Sequence, residues 1–281
     1  VTLQVLATGP LATVQDGGRP GRARLGISPS GAADRGAWAL GNRLVGNAAG
    51  AAAIEVTLGG LRVRAVRAVV ATLTGAESPA TVAGRPVATN APFVIPAGAV
   101  LDIGRPRNGL RTYLAVRGGI ATHPVLGSRS TDTLGGIGRP ALAVDDELPI
   151  GAPGAPMPDT DWAVPRSPAG TLRIQPGPRA SWFTAAARHR LVDATWTVTT
   201  ELDRIGVRLT GPTLERAINA ELPSEGIIRG AVQVPTNGQP LIFLADHPTT
   251  GGYPVIAVVV DSDTDALAQL RPGATIRLRW A

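Results

Sequence analysis

Residues 61–73 read Leu61-Arg62-Val63-Arg64-Ala65-Val66-Arg67-Ala68-Val69-Val70-Ala71-Thr72-Leu73. Leu61, Val63 and Ala65 alternate with arginines, the two-residue period of a strand with one face in a core and the other in water. The phase slips near Arg67, as a β-bulge would make it. Short strands are predicted downstream at Thr81–Val82, Val87–Thr89, Phe93–Ile95, Val100–Ile103 and Arg111–Val116, with turn residues between them. Strands this short and this regularly punctuated point to a barrel or a sandwich.

The same rhythm extends in both directions. Val1–Val14 reads as extended and breaks at Gln15-Asp16-Gly17-Gly18, and Ala53–Leu58 reads as a strand. Between them a helix is predicted, with Asp34 as its cap and Ala37, Trp38, Leu40, Leu44 and Val45 as its apolar face. The stretch from Gly151 to Gly170 holds five prolines and little pattern, which makes it the linker candidate between residues 1–150 and residues 171–281. The alternative arrangement packs residues 1–60 with the C-terminal half. Beyond the linker the strands Thr171–Gln175, Trp196–Thr200, Val207–Thr210, Ala231–Pro235, Leu241–Ala245 and Ala274–Trp280 are predicted, with helices at 181–192 and 264–270. Val255–Val260 is apolar almost throughout and reads as buried on both faces.

Composition narrows the chemistry. Gly and Pro number 35 and 25 of 281 residues, roughly a fifth of the chain where about 12 % is usual, which favours turns over long helices. The formal charge is +6, but every one of the 27 basic residues is an arginine, and they are scattered rather than gathered in a stripe with aromatics. A nucleic-acid footprint needs that clustering, so no nucleic-acid partner is expected. Without lysine there is no biotin acceptor, no Schiff base and no phosphate-loop lysine on this chain. Without cysteine there is no disulfide, thiol nucleophile or thiolate metal site. Three histidines (His123, His189, His247) are too few for an expected metal centre. No apolar run approaches the ~18 residues of a membrane span, so a cytoplasmic protein with no membrane partner is the expectation.

Four polar clusters could carry chemistry. Ala245-Asp246-His247-Pro248-Thr249-Thr250-Gly251-Gly252-Tyr253-Pro254 lies between two apolar strands, offering an acid, hydroxyls and backbone N–H donors for an oxyanion. Its alternative is a tight turn with Asp246 bonded to its own backbone. In Leu222–Pro235, Glu225 stands among small residues and Gln233 falls within an apolar strand, where an amide must meet a partner, face a ligand or sit on a solvent edge. The third cluster holds Gln15 and Asp16. In the fourth, Gly127–Asp132, Arg129 offers a fork for a carboxylate, flanked by hydroxyls.

Taken together, the runs TVQDGGRPG (13–21), SGAADRGAWALGNRLVGN (30–47), AAAIEVTLGG (51–60), YLAVRGGI (113–120), VLGSRSTDT (125–133), PGPR (176–179), DRIGVRL (203–209), LPSEGIIRGAVQVP (222–235) and ADHPTTGGYPVIAVV (245–259) carry a resemblance. In this order and spacing they resemble the biotin-dependent carboxyltransferase family, also known as allophanate hydrolase subunit 2, which includes the C subunit of 5-oxoprolinase and the KipA-like antagonists. The resemblance runs from about Val5 to Arg279. It implies an all-β fold with a few short helices, built as two cyclophilin-like β-barrel domains. It implies an allophanate-hydrolase-subunit-1 (KipI-like) partner and, in 5-oxoprolinase, a LamB/YcsF-type subunit. There the complex uses ATP, bound mostly by the partners, to open 5-oxo-L-proline, a small anionic substrate, to L-glutamate.

Two further activities belong to the resemblance: carboxyl transfer from carboxybiotin to urea, with the biotin on another domain, and non-enzymatic antagonism of a KipI-like kinase inhibitor. The expected catalytic residues are Asp246, Glu225 and Thr250. The expected substrate contacts are Gln15, Asp16, Arg129, Gln233, Gly251, Gly252 and Tyr253. Asp246 or Glu225 would handle a proton if burial raised its pKa. His247 stands where many relatives are expected to differ, so no obligatory role falls to it.

Overall fold

A computed structural model describes residues 2–160, 162–164 and 170–281. The all-β expectation holds: twenty strands outweigh three short α-helices among the described residues. The chain divides into two compact units. The first comprises Val1–Arg19, Ser30–Asp132 and Gly136–Ser167, and the second Pro20–Pro29, Thr133–Gly135 and Pro168–Ala281. The division is therefore not a single cut in the sequence. Of the first 60 residues, only 20–29 group with the second unit. The expected linker at 151–170 includes positions 161 and 165–169, which lie outside the described residues.

In the first unit a six-stranded and a five-stranded sheet share one core. Leu3 and Val5 from Thr2–Thr8, Leu61 and Val63 from Leu61–Ala65, and Leu101 and Ile103 from Val100–Ile103 fill it from one sheet. Val14, Ile54, Val56, Leu73, Leu114 and Val116 fill it from the other. The structure corrects the reading of 61–73. There is no continuous bulged strand but two strands, Leu61–Ala65 and Val69–Glu77, in different sheets. The phase slip at 66–68 is a corner where the chain changes sheets, and Val66 at that corner is 55 % exposed. Sandwich corners turn in this way when a strand must leave one layer for the other.

The outer face of the five-stranded sheet is covered by α1 (Arg35–Leu44). Asp34 caps α1 as predicted, its carboxylate accepting from the Ala37 N–H at 2.8 Å, a contact typically worth about 1 kcal/mol. Ala37 and Trp38 pack against Ala53, Tyr113 and Ala115. With both faces covered, the strand Asn108–Val116 is buried from Leu110 to Val116.

The second unit is a closed seven-stranded barrel. Its ring is completed where Thr171–Pro176 pairs in parallel with Thr275–Trp280. Leu172, Ile174, Val198, Leu209, Val232, Ile242, Ile256 and Leu278 form the interior. The helix α2 (Ala185–Asp193) packs Ala187 and Leu191 against this core, and α3 (Asp261–Leu267) follows the expected buried strand, here Val255–Val259. Trp196 is fully buried, its indole N–H donating to the Leu191 carbonyl at 3.0 Å. It lies over Gly211, where a Cβ would come within 2.7 Å of the ring.

Candidate functional site

In the first unit the strand Leu11–Gln15 delivers Asp16 to the segment Ser128–Thr131. Asp16 Oδ1 accepts from the hydroxyls of Ser128 and Ser130, both at 2.6 Å, and from the Gly18 N–H at 2.8 Å. Oδ2 accepts from the Arg129 N–H at 2.6 Å. Gln15 donates to Thr13 Oγ1 and to the Thr131 carbonyl, both at 3.0 Å, and Arg19 donates to the Ser130 carbonyl. Gln15, Asp16 and Arg129 are thus brought together. Arg129 contributes its backbone to Asp16, while its Nε donates to the Thr122 carbonyl at 2.8 Å.

A second buried network in this unit was not singled out from the sequence. Glu55 Oε2 accepts from the Tyr113 hydroxyl at 2.7 Å and the Ala33 N–H at 3.0 Å, and Arg111 lies 3.5 Å from Oε1. The Asp34 N–H donates to the same Tyr113 oxygen at 2.7 Å. Burial, followed by the charges of Glu55 and Asp34, raises the phenol pKa well above its usual value. The sequence signal was a glutamate inside the apolar run AAAIEVT.

The second unit positions the other expected residues at two places. Asp246 follows the strand Leu241–Phe243 and is fully buried. Arg204 meets it with two parallel bonds, Nε to Oδ2 and Nη2 to Oδ1, both 2.9 Å. Thr133 adds its N–H at 2.9 Å and its hydroxyl at 2.7 Å to Oδ2. Four donors on one carboxylate engage it as an anion. His247 Nδ1 lies 2.8 Å from the Pro248 carbonyl.

The second place is a short ribbon in which Glu225–Gly226 pairs antiparallel with Thr250–Gly251. Gln233, at the end of Ala231–Gln233, donates to the Tyr253 carbonyl at 2.9 Å. Its Nε2 is so close to Gly251 that a Cβ there would stand 3.0 Å from it. Glu225, Gln233, Gly251 and Tyr253 are therefore neighbours. Two arginines that carried no expected role complete the group. Arg179 holds Glu225 in a fork, with Nε 3.1 and 3.0 Å from the two carboxylate oxygens, and stacks 5.5 Å from the Trp182 ring centroid. Arg216 lies 5.9 Å from the Tyr253 ring centroid and donates to the Val234 carbonyl at 2.6 Å.

The expected upward shift does not occur at Glu225. Its bonds to Arg179 hold the carboxyl below the usual range, and the same contact raises the Arg179 pKa. The Glu225 side chain is 30 % exposed, and the hydrogen bonds to Arg179 lower its pKa more than partial burial raises it. It is ionised at neutral pH and acts as an acceptor only.

Comparison with known proteins places this architecture. The family model described as carboxyltransferase domain, subdomain A and B, matches residues 25–280. The chain is 39 % identical over 277 residues to the C subunit of 5-oxoprolinase from Escherichia coli (strain K12), spanning 98 % of this chain and 89 % of that protein. The crystal structure of TTHA0988 superposes with a TM-score of 0.90 at 37 % identity, covering 99 % of this chain and 55 % of that one. The chain thus spans little more than half the length of that solved protein. The K. lactis urea amidolyase structure superposes with a TM-score of 0.91 at 29 % identity, covering 99 % of this chain and 18 % of that one. With nearly its whole length matched in sequence and in fold, the chain belongs to the carboxyltransferase-domain family, subdomains A and B.

Proposed function

We propose that this chain is the carboxyltransferase-like subunit of an ATP-dependent 5-oxoprolinase, a complex that converts 5-oxo-L-proline to L-glutamate. The observation that carries the reading is the near full-length match to a protein named as the C subunit of 5-oxoprolinase, which covers 89 % of that relative. Opening the ring breaks the lactam C–N bond and adds water across it, leaving a carboxylate and an amine. The lactam oxygen gains negative charge on the way and needs donors fixed in advance. Among the described residues, the N–H groups of Gly252 and Tyr253 donate to no backbone carbonyl, which leaves both for that oxygen. Glu225, held ionised, suits the lactam N–H. Arg216, beside Tyr253, suits the substrate carboxylate within this unit. Asp246 holds Arg204 and Thr133 in place, a positioning role.

ATP is assigned to the partner subunits, one of the allophanate-hydrolase-subunit-1 (KipI-like) type and one of the LamB/YcsF type. A chain without lysine has no phosphate-loop lysine to offer it. Neither metal nor covalent biotin is assigned to this chain. The likeness to urea amidolyase supports a second reading, carboxyl transfer to urea, which requires a biotin carrier domain outside these residues.

The test is co-expression with these partners and an assay of ATP hydrolysis dependent on 5-oxoproline. Turnover is expected only in the complex, lost in Glu225→Gln and raised in KM by Arg216→Gln. An inert complex, or one that instead carboxylates urea when a biotin carrier is supplied, overturns the reading.

A further inference from the structure

The inward alternation that fills the barrel runs out at one end. Leu172 and Ile174 on one strand, and Ile276 and Leu278 on its parallel neighbour, are buried in the core. The next position of each series is Pro176 and Trp280, because side chains two residues apart share a face. Trp280 is aligned with Ile174, yet it is 36 % exposed, and Pro176 is exposed as well. Above the last filled layer lies a pocket of about 450 Å³, open to solvent. Pro176 and Trp280 line it together with Ala180, Ser181 and two residues of α2, Arg188 and His189.

The lining has one chemical bias. It contains a guanidinium, an imidazole and a hydroxyl, and no carboxylate. Arg188 is held in place by donating to the Phe183 carbonyl at 2.7 Å and the Ala180 carbonyl at 3.3 Å, both through Nη1. That leaves Nη2 and Nε available. The side chains of His189 and Ser181 have no hydrogen-bond partner among the described residues. The rest of the lining is apolar, led by the indole. Small-molecule sites combine an apolar wall with a few convergent polar groups in volumes of roughly 300–1,000 Å³.

We propose that this pocket is a second ligand site, which takes a small planar organic anion of the aromatic carboxylate class. The ring lies against the Trp280 indole and the Pro176 ring, and the carboxylate meets Arg188 and His189. The site uses none of the residues assigned to 5-oxoproline and does not depend on that assignment.

Calorimetric titration of the full chain with benzoate, benzamide and inorganic phosphate tests it. Benzoate is expected to bind saturably. Benzamide, which lacks the charge, and phosphate, which lacks the ring, are expected to bind about tenfold more weakly or worse. Trp280→Leu and His189→Ala should each weaken benzoate by about tenfold, the effect of losing one stacking or charge-assisted contact. His189 is exposed on α2, so its substitution leaves the fold intact and carries the test even if the Trp280 variant is unstable. No saturation with benzoate, equal binding of benzamide, or unchanged benzoate affinity in His189→Ala overturns the proposal.

Discussion

Arg204 and Asp246 form a two-bond ion pair from which water is excluded, with side-chain exposures of 1 % and 0 %. Such a pair adds little over an apolar replacement, but removing one partner strands the other charge in the interior. Asp246→Asn should therefore destabilise the chain by about 3 kcal/mol or more. Denaturant unfolding of the isolated subunit measures this. A variant as stable as wild type would return Asp246 to the role of a reacting group.

Gly251 and Gln233 are coupled by contact. A methyl at 251 would stand 3.0 Å from Gln233 Nε2 and push it from the Tyr253 carbonyl. A buried amide deprived of its bond costs about 1–3 kcal/mol. Gly251→Ala should cost about that much in wild type and distinctly less in a Gln233→Ala background. A double-mutant cycle reads the difference, expected at about 0.5 kcal/mol or more; strict additivity would mean the two residues do not interact.

Acid should weaken the second unit through Asp263. The Arg173 fork holds its carboxyl down to about 2 against an ordinary 3.8. Because the folded-state value is depressed, the stabilisation is complete above pH ~4 and disappears as pH falls toward 2. Arg173 is 42 % exposed, so solvent screening keeps the effect modest. Unfolding followed from pH 5 down to 2 should show a shallower loss in Asp263→Asn than in wild type.

Alkali should act on the first unit through Tyr113. Its folded pKa is raised well above 10.0, so the native state keeps the proton where the unfolded chain releases it. Stability is then fully present below pH ~10 and falls as pH rises beyond it. The chain has two tyrosines. Of these, Tyr113 should yield its phenolate absorbance only together with unfolding. Tyr113→Phe should remove the added alkaline sensitivity while costing about 1–3 kcal/mol at neutral pH, since Glu55 and the Asp34 N–H each lose a buried partner.

Much of this was legible in the residues because it is local. Alternation over Leu61–Ala65 and the Asp34 cap of α1 depend on neighbours a few positions away, and both appear as predicted. The corner at 66–68 was not legible, because a bulge and a change of sheet shift the apolar phase in the same way. Glu225 and Gln233 could be read as polar residues needing partners. Gln233 does meet one, the Tyr253 carbonyl. The partner of Asp246 could not be read, since Arg204 stands 42 residues away and any of 27 arginines would satisfy the same charge. The direction of the Glu225 shift had the same cause: it is set by Arg179, a residue 46 positions distant.

The parallel seam between Thr171–Pro176 and Thr275–Trp280 has a consequence for biosynthesis. Until residue 280 has left the ribosome, Thr171–Pro176 and Thr195–Leu202 both lack a neighbour that they have in the finished ring. The incomplete sheet then presents two open edges that invite pairing with other chains. The ring therefore closes only once Thr275–Trp280 is available, and truncation ahead of Thr275 should yield an aggregating product rather than a shortened soluble one.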